Sequence, residues 1–162
     1  MSLYELFKDT DFLARLLLGE AVVLERVARH PHPNIVRYSG VRIRRDRITG
    51  LVLEKHQLTL LDHVKQGHGL DEESFMRGLE SAVAHLHSLG LAHNDINPEN
   101  IMVGADKRPV LIDFVSCRPF GKRLLSGGTV GWVDDMDIWS AQRHDLSALE
   151  KLRQWFESPW FE

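Results

Sequence analysis

The octapeptide His93-Asn94-Asp95-Ile96-Asn97-Pro98-Glu99-Asn100 constrains this chain more than any other stretch. Eighteen residues after Asp95 comes Asp113, closing the apolar run Val110-Leu111-Ile112 and followed by Phe114. An Asp, an Asn five positions on and a second Asp at the end of an apolar strand supply the carboxylate and amide groups that phosphoryl transfer needs. Three expected companions of such a set are missing. No Gly follows Phe114, no Arg precedes Asp95, and no glycine-rich loop or strand lysine lies upstream.

A chain of 162 residues suffices for one core or two small lobes sharing an interface. With 43% hydrophobic and 27% charged residues and a formal net charge of −3, it gives no basic excess for nucleic acid or an anionic membrane. Its single cysteine, Cys117, cannot form an internal disulfide, which fits a reducing intracellular compartment, cytoplasmic or nuclear. The N-terminal residues carry acids and no apolar signal core. Leu16-Leu17-Leu18 falls far short of the ~20 apolar residues of a membrane helix.

Periodicity gives the element order. Leu13, Leu16, Leu17, Ala21, Leu24, Val27 and Ala28 recur at helical spacing, which predicts a helix from Asp11 to Arg29 that His30-Pro31-His32-Pro33 terminates. Ile35 to Tyr38 with Val41 to Arg44 reads as a strand, Arg45 to Gly50 as a hairpin turn, and Leu51 to Glu54 as its return. Arg42, Arg44, Arg45 and Arg47 alternate with Val41 and Ile43, so they read as a solvated strand face rather than a nucleic-acid patch. A short helix is expected over Leu58 to Lys65 and a buried one over Asp71 to Leu89, ended by Gly90. Strands at Ile101 to Val103 and Val110 to Ile112, then a helix over Asp145 to Phe156, complete the chain.

Taken together, Glu20 and Leu24, His32-Pro33-Asn34-Ile35-Val36, Leu51-Val52-Leu53-Glu54, His85 to Gly90, His93 to Asn100 and Asp113-Phe114 occur in the order and spacing of eukaryotic protein kinases. Gly128-Thr129-Val130-Gly131-Trp132 is similar to the family's substrate-docking turn. The resemblance covers Glu20 to Phe156 and implies an α+β, protein-kinase-like bilobal fold with a reduced N-lobe and a shortened, mainly helical C-lobe. Residues 1–56 would form the truncated N-lobe, an αC-like helix plus a β-hairpin, and residues 57–162 the C-lobe through an αF-like helix.

By that resemblance, Asp95 orients the acceptor hydroxyl and takes its proton, Asn100 ligates Mg²⁺ and holds the loop, and Asp113 bridges Mg²⁺ to the nucleotide phosphates. Asn97 stands where Ser/Thr kinases carry a lysine that contacts the γ-phosphate. The backbone of Glu54 and His56 resembles the hinge that bonds the adenine of ATP, with Leu53 as gatekeeper and Met102 beneath the ring. Glu20 matches the helical glutamate that pairs a strand lysine, and Leu24, Tyr38, His93 and Phe114 resemble the apolar stack joining the lobes. For the aspartate anchoring the catalytic loop, Asp137 has the family's letters but Asp145 has its spacing, sixteen residues after Thr129, and Asp145 is expected.

Departures from the pattern reduce the implied activity. None of the nineteen residues before Glu20 forms Gly-x-Gly-x-x-Gly or Val-Ala-x-Lys. Asn97 removes a cation, Asn94 removes the arginine that reads activation-loop phosphate on Ser126 or Thr129, and Val115 confines to negative φ a hinge that is normally glycine. No Ala-Pro-Glu follows Trp132. Three functions stay open: a weakened ATP-dependent Ser/Thr protein kinase with a protein substrate, a pseudokinase that binds a protein partner, or a small-molecule phosphotransferase of the choline and aminoglycoside kinase type. The third shares the His-x-Asp-x-x-x-x-Asn pattern and an Ile-Asp-Phe without Gly. Blander readings exist as well: Asp95 and Asn100 as turn caps, Asp113 as a strand end, Glu20 as a solvated acid, His93 as a backbone-bonding side chain, and the four tryptophans as packing. His85 and His87, two apart on a helix, point to different faces, which argues against zinc.

Overall fold

The computed structural model describes residues 11–133 and 138–161. Helix α1 covers Phe12–Ala28 and buries Glu20, Ala21, Val23, Leu24 and Val27, the stripe its apolar spacing predicts. Strands β1 (Tyr38–Arg44) and β2 (Arg47–Leu53) pair antiparallel through a two-residue turn. Arg45 and Asp46 both take positive φ there, 51° and 60°, the geometry that matches strand twist in tight hairpins. Arg42, Arg44, Arg45 and Arg47 are all exposed, but Ile43 between them is exposed too, so the hairpin tip is solvated on both faces rather than on alternate residues.

Two strand assignments change. Ile35 to Arg37 does not extend β1; it docks instead on β6 (Pro109–Leu111), where the Val36 amide donates to Leu111 O at 3.0 Å and the Leu111 amide to Asn34 O at 2.9 Å. Leu58 does not begin a helix. Leu58–Thr59 is strand β3, paired with β5 (Ile101–Val103), and Thr59 caps helix α2 (Leu60–Lys65) by accepting from the Asp62 amide. A β-branched residue with a hydroxyl suits both a strand end and an N-cap.

Helix α3 (Glu72–Ser88) is capped by Asp71, buries Phe75, Met76, Leu79, Ala82, Val83 and Leu86, and ends before Gly90 at φ 70°. It lies against the sheet β3-β5-β6 at Gly78, where an added Cβ would meet Pro109 Cγ at 2.9 Å. Strand β4 (Leu91–Ala92) pairs with β7 (Arg118–Pro119), bringing the residues before His93 beside those after Cys117. The last helix, α4 (Gln142–Glu157), starts three residues earlier than its apolar periodicity shows, and so includes Asp145 in its first turn. One hydrophobic core joins Leu24, Leu79, Leu86, Ile101, Leu111, Phe114 and Trp155. Trp132 and Trp155 are buried within it, whereas Trp139 and Trp160 are about half exposed, so packing accounts fully for only two of the four. Among the described residues no helix is long and apolar enough to cross a membrane.

Candidate active site

The loop His93 to Asn100 is shaped by a buried carboxylate. Asp145 is 0% exposed and accepts from the backbone amides of His93 at 2.9 Å and Asn94 at 2.8 Å, and its Oδ2 is 2.8 Å from His87 Nε2. The anchor expected from spacing is thus in place; Asp137 lies outside the described residues. His87 is a partner of this anchor, a role that no local signal at an i,i+2 histidine pair reveals. Its neighbour His85 points elsewhere, to His30 O, so the two imidazoles do not share a site.

Asn94 adopts φ 64°, a left-handed conformation that Asn tolerates better than most residues. Its buried amide is a hub: Nδ2 donates to Ala92 O, Ser116 O and Ser140 Oγ, while Oδ1 accepts from the Ala141 amide and lies 3.0 Å from His144 Nδ1. Neutral hydrogen bonds from Asn94 thus tie the loop to the segment after Asp113 and to the start of α4. The participation of Ser116, Ser140 and His144 is invisible in sequence, because these partners lie 22 to 50 residues away.

Asp95, Asn97 and Asn100 come together. Asn100 Nδ2 donates to Asp95 O at 2.9 Å and Oδ2 at 3.1 Å; Asn97 Nδ2 lies 3.2 Å from Asp95 Oδ1 and 3.0 Å from Thr129 Oγ1. The Thr129 amide completes the ring, donating to Asp95 Oδ1 at 2.8 Å. Both oxygens of Asp95 are therefore oriented by neighbours, and Asn97, buried, holds the loop by accepting from the Glu99 and Asn100 amides through Oδ1. The turn-capping reading thus holds for Asn97 and Asn100, whose side chains bond the loop's own backbone.

Asp113 sits one residue beyond Ile112, whose amide donates to Asn100 O at 2.9 Å, so the second acid is delivered next to Asn100. It is exposed, adopts φ 58°, and accepts from the Val115 amide through Oδ1. The unusual backbone conformation thus falls on Asp113, and Val115 keeps negative φ. Next along the chain, Phe114 is fully buried with its ring 5.1 Å from that of His93, edge to face. His93 Nε2 lies 2.9 Å from Ile112 O, the structural role expected of it. Leu24 and Tyr38 belong to or pack against the same core, consistent with an apolar stack.

Glu20 is not solvated. It is 9% exposed and accepts from the Phe114 amide at 3.1 Å, which ties helix α1 to the segment carrying Asp113. Burial raises its pKa above the ordinary carboxylate value; the Phe114 amide works against this, and the Asp113 charge adds to it. Among the described residues no lysine or arginine pairs with Glu20.

Residues expected around the nucleotide base are less gathered. Leu53 is 37% exposed and Glu54 exposed, with the Glu54 amide donating to Arg37 O, while Met102 is half-buried in β5. Glu54 lines a cavity of about 770 Å³ with Leu24, Ile35 and Tyr38, whereas His56 lines a separate one of about 420 Å³ with His63 and Lys107.

The donor set fits Mg²⁺ and not a preformed all-protein metal cage. Asn100 commits its Nδ2 to Asp95, which leaves its oxygen for a cation, and Asp113 has a second carboxylate oxygen beyond the one bonded to Val115. One carboxylate and one amide oxygen suit an ion that takes its other ligands from phosphates and water. Among the described residues no three of His, Cys, Asp and Glu are grouped to hold a metal by themselves.

The buried aspartate anchor, the Asp95-Asn100 pair and Asp113 at the strand end lie together as the resemblance to protein kinases leads one to expect. A family model described as protein kinase domain matches residues 6–132, and the chain belongs to that family. It is 36% identical over 134 residues to the human serine/threonine-protein kinase/endoribonuclease IRE2, covering 73% of this chain and 14% of that protein. To the serine/threonine-protein kinase ppk8 of Schizosaccharomyces pombe it is 34% identical over 130 residues, covering 76% and 25%. To the serine/threonine-protein kinase/endoribonuclease IRE1 of Hypocrea jecorina it is 30% identical over 124 residues, covering 68% and 10%. The chain thus spans between a tenth and a quarter of the length of these relatives.

Proposed function

We propose that the chain is a Ser/Thr-type protein-kinase domain that retains the metal-side residues of a Mg²⁺-nucleotide site, transfers phosphate weakly or not at all, and acts chiefly by binding a protein partner. The observation that carries this reading is Glu20. Its carboxylate is bonded to the Phe114 amide with no described cation beside it, so it aligns the Asp113 segment without presenting a lysine to the phosphates. Glu20 and Asp113 together make the local field negative, and a nucleotide could enter only with its charge neutralised by Mg²⁺. Asn100 and Asp113 would hold that ion, which would supply charge neutralisation for the phosphates. Asp95, fixed by Thr129 and Asn100, is the residue to orient an acceptor hydroxyl and accept its proton. Asn97, bonded to Thr129, contributes no positive charge, and loss of one transition-state cation costs ~10²-fold or more.

The test is calorimetric titration with ATP, with and without Mg²⁺, of the wild type and Asp113→Ala, followed by transfer of labelled phosphate. The proposal expects Mg²⁺-dependent binding that the substitution abolishes, and slow or absent transfer to protein. No binding at millimolar nucleotide would leave a partner-binding module alone. Rapid transfer to protein would refute the degeneracy, and transfer to choline or an aminoglycoside would place the chain among small-molecule phosphotransferases.

A further inference from the structure

A second cavity, of about 420 Å³, lies between the connection following β2, helix α2 and the turn between β5 and β6. Lys55, His56, His63 and Lys107 line it, with His68 at its edge stacked edge to face on His63 at 5.0 Å. Two of its groups are in an unusual state. The Nε2 atoms of His56 and His63 are both buried and have no protein hydrogen-bond partner, and His63 as a whole is only 7% exposed. A buried imidazole nitrogen without a partner is costly, so two lining one cavity mark a place where something else completes them.

The surroundings define its charge. Two lysines, Lys55 and Lys107, line it, and Lys107 Nζ donates to Gly69 O at 2.9 Å. The acid nearest the imidazoles is Glu54, 3.9 Å from His56 Nε2 and too far to hydrogen-bond it. Desolvation lowers the pKa of His63, and the charges of His68 and Lys107 lower it further, although the Gly69 backbone opposes them. Glu54 and Asp106 flank the cavity, but no carboxylate is among the residues that line it, against two lysines and three histidines that do. A cation does not answer them, since among the described residues no three His, Cys, Asp or Glu are grouped to hold a metal.

We propose that this cavity binds a phosphoryl group, whose oxygens accept from Nε2 of His56 and His63 once the imidazoles take up a proton with the anion, and whose negative charge matches Lys55 and Lys107. A carboxylate has half the charge and fewer acceptors. Leu58, Val103 and Ala105 give the rest of the wall an apolar part, beside Gln57 and Gly104, that would receive the short body carrying the phosphate. The cavity lies apart from Asp95, Asn100 and Asp113, none of which lines it, so the proposal stands whether or not the chain transfers phosphate.

The experiment is titration of the full chain with inorganic phosphate, phenyl phosphate, a phosphoserine peptide and acetate, followed by the imidazole nitrogen resonances of its nine histidines. Phosphate should shift His56 and His63 saturably while leaving His30 and His32 unmoved. Exposed Lys55 and Lys107 can be replaced without disturbing the core, so Lys55→Gln and Lys107→Gln should each weaken binding about tenfold with unchanged thermal unfolding in the absence of ligand. Tighter binding of phenyl phosphate than of the peptide assigns the phosphate to a small molecule, and the reverse order assigns it to a modified protein. Unmoved His56 and His63 signals, equal binding of acetate, or lysine variants that bind as the wild type would overturn the proposal.

Discussion

Replacing Asp145 by alanine should be among the most damaging single changes available to this fold. The carboxylate is fully buried and serves two buried backbone amides and the part-buried imidazole of His87, so its removal leaves three groups without their partner at once. Hydrogen bonds to a charged group contribute about 1.5–3 kcal/mol each, which sums to about 4.5–9 kcal/mol. That sum is an upper bound, because the three bonds share one acceptor and its own desolvation cost is recovered. Breaking a buried charged network by removing one partner costs about 3–5 kcal/mol, and we adopt that range. Against a total stability of about 5–15 kcal/mol the variant would be marginal. For a domain this size the loss corresponds to roughly 6–20 °C in Tm. Asp145→Asn, which keeps one acceptor oxygen, should lose about half as much. Urea unfolding followed by the fluorescence of buried Trp132 and Trp155 measures both, and hydrogen exchange at the His93 and Asn94 amides gives the local counterpart. A loss below about 1 kcal/mol for Asp145→Ala, with unchanged exchange at those amides, would refute the assignment of Asp145 as the anchor.

Three further outcomes are expected. Because Glu20 titrates higher in the folded chain than its ordinary 4.5, the folded state holds the proton more firmly, and stability present below that value is lost as pH rises through the folded pKa. Glu20→Gln should therefore gain stability relative to wild type at neutral pH and not at pH 4, and a difference independent of pH would contradict this. Gly78→Ala should destabilise by about 1 kcal/mol net despite the better helix propensity, since the new methyl meets Pro109 Cγ at 2.9 Å; equilibrium unfolding decides the sign. Cys117 is fully buried and its thiol pKa is pushed up by that burial, so its modification by a thiol reagent should proceed at the rate of unfolding, and fast labelling of native protein would show the core to be open.

Much of the site was readable because its chemistry is local. Asp95, Asn97 and Asn100 lie within six residues, and their mutual bonds follow from short polar side chains folding back on their own loop. Asp145 was legible by spacing, since the rise of a helix and the length of a loop are geometric quantities that survive when letters change. Glu20 was legible by position but not by state: whether a carboxylate is solvated depends on what covers it, and Phe114, whose amide it accepts from, is 94 residues away.

Local pattern alone gave the order of the helices, the extents of α1 and α3 to within a residue, the β1–β2 hairpin and the exposure of its arginines, but not the short strands β3, β4 and β7. Periodicity, capping and turn chemistry are properties of neighbours in the chain. Only the tertiary structure decided that Ile35 and Val36 dock on β6, that Leu58 and Thr59 form a strand, that Asn94 binds Ser116 and Ser140, and that His87 completes the Asp145 anchor. It also decided that two histidines lining one cavity keep buried Nε2 atoms without a hydrogen-bond partner. Each of these depends on desolvation and on pairing between distant segments, and neither is written in any local stretch of residues.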